Sequence, residues 1–311
     1  MNAGGVMTIQ SERMIAMTTR FNCTCLRVKF FHGGMMLMKL SKSRLSTFIT
    51  CPQKYFISYI LSIRPLRTSP EFLIGSATHY LISTYYQKRM SNEPCDHQAS
   101  LNAFWSKYDL KNAEFETQEE MDAARQESLN LAEVFLKETA LDPLYAEYSF
   151  SLPIINVATG ETIQDLELVG IIDLIDRPNG NGQTRALEIK TKARKPDDFM
   201  AQVSLELTCY AYWLKFLHDQ DVVPVGYLNI IKTKKPYIHW QPQERTERDF
   251  VELYHTIKKV SQNIADERFY RNPGIQCSWC DYKPICMNDA QTAETVFGKE
   301  AVETLRQTRP A

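Results

Sequence analysis

Residues 166–192 read LELVGIIDLIDRPNGNGQTRALEIKTK, and the reading of this stretch decides the fold. An apolar run carrying a lone acid, Asp173, leads through the NGNG turn at 179–182 into a second apolar run, which carries Glu188 and Lys190. Asn-Gly between two such runs is a strong hairpin signal, so the strands lie side by side. Residues two apart on a strand point the same way, so Glu188 and Lys190 share a face, and the turn folds that face back beside Asp173. Two carboxylates and an amine on one sheet surface suit metal-dependent phosphodiester hydrolysis. The carboxylates hold Mg2+ or Mn2+; the lysine orients or deprotonates a water and screens developing negative charge. An E-x-K tripeptide alone is little more than a polar strand edge. Asp173 adds weight, because a half-buried acid in an apolar strand needs a partner or a metal.

The chain around this hairpin has 311 residues, 44% hydrophobic and 23% charged, an ordinary balance for a soluble globular protein of one large or two small domains. No apolar run approaches the ~20 residues of a membrane span. A net charge of −1 gives no global pull toward nucleic acid. DNA affinity would have to come from local patches: Arg185, Lys190, Lys192, Arg194 and Lys195, and the turn with Lys232, Lys234 and Lys235. Residues 1–37 hold Met1, Met7, Met14, Met17, Met35 and Met36, six of the eleven methionines, and show no sustained period. They are expected to be a disordered extension or an over-extended start, leaving Cys23 and Cys25 without a role. No basic start leads into a clean apolar stretch of secretory type. An intracellular, reducing, cytoplasmic setting follows.

From Met38 the pattern predicts helices, then a sheet, a helix, strands and a last long helix. SKSRLSTFI (41–49) opens with serine caps and puts Leu45, Phe48 and Ile49 on one helical side. Cys51-Pro52 interrupts it, and a helical pattern resumes through Tyr55, Phe56, Tyr59 and Ile60. Residues 71–89 form a helix carrying His79 near Gly75, and 98–108 and 117–140 read as a helical insertion. Strands are expected near 145–155, 166–177 and 184–191, a helix over 197–218, strands at 224–232 and 237–241, and a charged helix over 244–267. The expected class is α/β, a mixed central sheet flanked by helices. The domain is expected over 38–290, with 291–311 a C-terminal tail.

CSWCDYKPIC places Cys277, Cys280 and Cys286 in a C-x2-C-x5-C cluster, and Cys51, beside Pro52, is a candidate fourth ligand. Disulfides do not suit a reducing compartment. Zinc and an iron–sulfur cluster both accept four thiolates, and the spacing leaves both open.

These pieces together resemble the iron–sulfur branch of the RecB-like PD-(D/E)xK nucleases, which includes CRISPR-associated RecB-like exonucleases, the AddB nuclease domain and exonuclease V. The resemblance covers about residues 40–288. It is carried by LSKSRLSTFITCPQKYFISYIL, IGSATHYLISTYY, GIIDLID, LEIKT and the terminal cysteines. It implies a restriction-endonuclease-like fold whose divalent metal is held by His79, Asp173, Glu188 and the main-chain carbonyl of Ile189, with Lys190 positioning the attacking water. It also implies a 4Fe–4S cluster on Cys51, Cys277, Cys280 and Cys286, tying the two ends of the domain together. The family carries a Q-x3-Y motif after E-x-K. Here SLELTCYAYWL aligns Tyr210 with the tyrosine but puts Glu206 in the glutamine position, with Gln202 one turn earlier as a possible substitute. The implied activity is exonucleolytic cleavage of single-stranded DNA in repair, recombination or phage or CRISPR DNA processing. No G-x4-GK[ST] loop is present, so strand separation would need a helicase or recombination partner. A weak or inactive DNA-binding scaffold is the alternative, for which Glu206 is the main support.

Overall fold

Four residues, Met38–Ser41, form strand β1, and the Ser41 hydroxyl then accepts the Arg44 N–H at 3.3 Å to cap helix α1 (Lys42–Thr50). The computed structural model describes residues 37–308 apart from 140, 178–182 and 219. The NGNG turn and the first 36 residues lie outside that set. Pro52, which has no N–H to leave unpaired, begins the short helix α2 (Pro52–Tyr55). This widens into a π turn over Phe56–Ile60 that buries Ile57 and Ser58. Three helices follow: α3 (Pro70–Met90), capped by Ser69; α4 (His97–Trp105), capped by Asp96; and α5 (Gln118–Thr139).

Strands β2 (Tyr145–Ile155), β3 (Thr162–Asp176) and β4 (Arg185–Lys192) come next. Helices α6 (Asp198–Gln202) and α7 (Leu205–His218) cross over to β5 (Val223–Ile231), which turns back as β6 (Tyr237–Arg245) before helix α8 (Glu247–Ala265). Among the described residues these six strands make one mixed sheet. The β4–helix–β5 connection joins parallel neighbours, as such a crossover requires. The helix expected over 197–218 is broken at Val203–Ser204, where the Ser204 hydroxyl caps α7 by accepting the Leu207 N–H at 3.2 Å.

Strand β3 organises the sheet. One edge pairs antiparallel with β2 along most of its length. The other edge is shared, with β1 parallel along Leu166–Val169 and β4 antiparallel along Leu174–Asp176. Between them, Gly170–Asp173 form a fork with no strand paired on that edge among the described residues. One sheet face is covered by α1, α7 and α8, the other by α3, α4 and α5. Gly170 is needed because the Phe150 ring lies across it; a Cβ there would come 2.6 Å from Phe150 Cζ.

A third cluster joins the segment after α2 to the last helices among the described residues. Ile57 and Ile63 pack with Tyr282, Ile285, Ala293, Phe297, Val302 and Leu305. The last four belong to helices α10 (Ala290–Phe297) and α11 (Lys299–Thr308), which follow the short α9 (Lys283–Cys286). The segment expected to be a tail after residue 290 is therefore a packed pair of helices, held by the period of its four buried apolar residues.

Candidate active site at the fork of the sheet

Where the β3–β4 ladder runs out, the Ile189 N–H is taken by the Asp173 carboxylate, Oδ2 at 2.8 Å. The other Asp173 oxygen, Oδ1, lies 2.9 Å from His79 Nε2. Helix α3 can bring His79 this close because Gly75, one turn earlier, sits against β4; a Cβ there would lie 3.0 Å from Thr191 Oγ1. The second ring nitrogen, Nδ1, lies 3.3 Å from Oε1 of Glu147 on β2. Asp173 is thus held from β4 and from α3 at once, and β2 reaches it only through Glu147 and His79.

Glu147 was not foreseen from the sequence. It stands across β2 from Asp173, between the pairs Ala146–Leu174 and Tyr148–Ile172, with φ at +55°. Residues two apart on a regular strand share a face, yet Ala146 packs on the α3 side and Tyr148 on the α7 side. Ile172 and Leu174 divide between the two faces in the same way. Both strands therefore change face at the site. The left-handed residue Glu147 is where β2 does so. Glu147 Oε1 is buried and makes no hydrogen bond; its approach to His79 has ion-pair distance without hydrogen-bond alignment.

Glu188 and Lys190 project toward α7. The Tyr210 hydroxyl donates to Glu188 Oε2 at 2.9 Å, and the Lys190 ammonium pairs with Glu188 Oε1. Lys190 Nζ also lies 3.2 Å from Glu206 Oε2, which accepts the Tyr227 hydroxyl at 3.0 Å. The remaining Glu206 oxygen, Oε1, is 2.5 Å from the ammonium of Lys42, at the start of α1. The charge that Glu206 brings in place of a glutamine is thus met by Lys42. Gln202 ends α6 with its side chain exposed, outside this network; its carbonyl accepts from Arg245 at 2.9 Å.

Burial and crowding set the electrostatics. Burial, then the charge of Asp173, pushes the Glu188 carboxyl well above its ordinary range, although Lys190 works the other way. Burial would also raise Glu206, but Lys190 and Lys42 hold it low. Burial opposes a charged His79, yet Asp173, with Glu147 and Glu188 behind it, lifts its pKa to about 9. Burial raises Glu147, with Asp173 adding to it. These carboxyls crowd one another at a cost that a divalent cation would relieve. The donor set, hard oxygens with one imidazole, suits Mg2+ or Mn2+. Ligand atoms of His79, Glu147 and Asp173 lie within 4.8 Å of one another, and Glu147 Oε1, buried without a hydrogen bond, is what such an ion would satisfy.

The cysteines form a separate neighbourhood. Cys51, Cys277, Cys280 and Cys286 are half-buried. Two hydrogen bonds carry the segment leading to Cys277 past Cys51: Asn272 Nδ2 donates to Thr50 O at 2.9 Å, and Gln53 N to Tyr270 O at 3.0 Å. The Tyr282 hydroxyl donates to Ile63 O at 2.8 Å. Among the described residues no cysteine belongs to a group of three or more donors within 4.8 Å of one another.

The profile of the PD-(D/E)XK nuclease superfamily matches residues 39–287. No curated protein matches the chain. Among solved structures, a putative exonuclease from Eubacterium rectale is similar at 14% identity and a TM-score of 0.44, over 73% of this chain and 78% of its own. A protein called SSO0001 is similar at 14% identity and a TM-score of 0.29, over 76% of this chain and 94% of its own. No helix among the described residues is long and apolar enough to cross a membrane.

Proposed function

Because the chain belongs to the PD-(D/E)XK nuclease superfamily, we propose that it is a deoxyribonuclease that degrades single-stranded DNA from an end, using Mg2+ or Mn2+. The observation that carries this reading is the convergence of His79, Asp173, Glu188 and Lys190 at the fork. Asp173, Glu188, His79 and Glu147 would hold the divalent ion, with the Ile189 carbonyl as a further ligand on family grounds. When bound, the ion supplies Lewis acidity and lowers the pKa of a water. Lys190 orients the attacking water and screens charge building on the phosphate. Tyr210 holds Glu188 in place through its hydroxyl, and Glu206 does the same for Lys190.

Support for a nucleic-acid substrate comes from the end of the sheet. Lys192, Arg194 and Lys195 leave β4 just beyond Lys190, and Lys232, Lys234 and Lys235 leave the parallel strand β5 beside them; Lys232 N donates to Lys192 O at 2.8 Å. This basic rim gives a strand's phosphates a local track despite the chain's near-zero net charge.

A 4Fe–4S cluster on Cys51, Cys277, Cys280 and Cys286 is the proposed structural clip, with zinc as the alternative. Four half-buried cysteines, Cys51 lying beside a segment hydrogen-bonded to the one that leads to Cys277, fit either group. An intracellular setting and a helicase or recombination partner remain part of this proposal. The inactive-scaffold reading rested on the charge of Glu206, which Lys42 matches.

The test is anaerobic purification followed by Mn2+-dependent digestion of end-labelled single strands, linear and covalently closed. Linear strands should shorten from an end, closed circles should resist, and cutting should weaken as salt rises. Equal cutting of both would make the protein an endonuclease. Cutting of neither would favour the scaffold.

A further inference from the structure

The ammonium of Lys190 is shared between two carboxylates with different duties. Glu188 would be a ligand of the divalent ion in the reading above, and a bound ion there would weaken its hold on Lys190. Glu206 is then the acid left to keep Lys190 in place. It is well built for this. Its Oε2 takes Lys190 and the Tyr227 hydroxyl, and its Oε1 takes Lys42. Tyr227 is itself fixed, its hydroxyl 2.6 Å from Ser204 Oγ at the cap of α7. Glu206 is only 6% exposed, so an unmatched charge there would be costly.

We propose that Glu206 and Lys42 are a positioning pair for Lys190: Glu206 anchors its ammonium at the reacting water, and Lys42 supplies the counter-charge that keeps Glu206 in place. The proposal rests on the nuclease reading for the role of Lys190, but not for the contact itself. Without Lys42, Glu206 keeps a single cation and a buried oxygen without a donor, and it turns to draw Lys190 further from Glu188. A neutral amide at position 206 has no need of Lys42. The two substitutions should therefore compensate one another.

The test is a double-mutant cycle on the full-length protein, using Lys42→Met, Glu206→Gln and their combination, with Lys42→Arg as the charge-preserving control. Displacing a catalytic group by a fraction of an ångström to an ångström costs up to about 10²-fold, so Lys42→Met should lower kcat by about 10- to 100-fold with KM little changed. Adding Glu206→Gln should recover most of that loss, and Lys42→Arg should stay close to the parent. A second arm needs no activity and no metal. The protein is labelled with 13C at lysine Cε, and the Lys190 resonance is assigned by its loss in Lys190→Arg. Lys42→Met and Glu206→Gln should each shift that resonance, and Lys42→Arg should leave it in place. Additive losses, a raised KM with kcat unchanged, or a Lys190 resonance indifferent to both substitutions would each overturn the pairing. If the parent cuts no DNA, the nuclease reading fails, and the resonance arm alone decides whether Lys42 and Glu206 position Lys190.

Discussion

Replacing Glu147 by glycine should make the metal-free protein more stable and the metal-loaded protein no better than before. Glu147 holds φ at +55°, which costs an L-residue about 1–2 kcal/mol and costs glycine nothing. Its Oε1 is buried without a hydrogen bond, worth about 1–3 kcal/mol when removed. Against this stand the loss of its ion pair with His79, under about 1 kcal/mol, and the extra chain entropy of glycine, about 0.5–1 kcal/mol. The balance is a gain of about 1–3 kcal/mol, or about 2–6 °C in Tm for a domain of this size. The assay is thermal unfolding of parent and Glu147→Gly in chelator and in saturating Mn2+. At a hundred times Kd the ion stabilises the parent by about 2.7 kcal/mol, and the variant should lose most of that increment. A variant that melts below the parent in chelator would refute the strain argument. An equal Mn2+ increment in both proteins would remove Glu147 from the ligand set.

Three further outcomes are expected. Asp173→Asn, Glu188→Gln and Lys190→Met should each lower kcat by on the order of 10³-fold or more, with the circular dichroism of the parent; a variant that digests DNA like the parent would strike that residue from the site. Cys51→Ala or Cys277→Ala should bleach the visible absorption of anaerobically purified protein and lower its Tm, whereas colour unaffected by Cys51→Ala would remove Cys51 as a ligand. His79 has a raised folded pKa, so the stability it lends the metal-free protein is present below pH ~6.5 and lost as pH rises through about 9. Because a ligand histidine must be neutral, Mn2+ affinity measured by calorimetry should tighten over the same range, and a flat profile would count against His79 as a ligand.

Much of the candidate site was legible in the sequence because its residues announce themselves locally. Glu188 and Lys190 sit at strand spacing, Asp173 interrupts an apolar run, and His79 lies one turn after a glycine. Each is a departure from the pattern around it. Glu147 is different: AEYSF reads as an ordinary half-exposed strand, and no local signal marks a glutamate in the left-handed region. Lys42 was equally hidden, since its partner Glu206 is distant in sequence and a lysine at a helix start is unremarkable. Strand β1 was missed because four residues are too few for a period, and its pairing with β3 is long-range. The break before α7 did have a signal, Ser204 as an N-cap. It was outweighed by the continuous apolar period on either side.

The contact between Tyr282 and Ile63 spans 219 residues, which gives it a meaning in time as well as space. At about 5–20 residues per second, a ribosome needs roughly 10–45 s to travel from one to the other. Throughout that interval the apolar side chains of Ile57 and Ile63 are on the nascent chain, while the helices that cover them have yet to be made. The cysteine-bearing segment, too, arrives only after every strand of the sheet has been synthesised. Covering of Ile57 and Ile63 is thus a late event in synthesis, and until it happens their apolar side chains lack the partners that bury them in the folded protein.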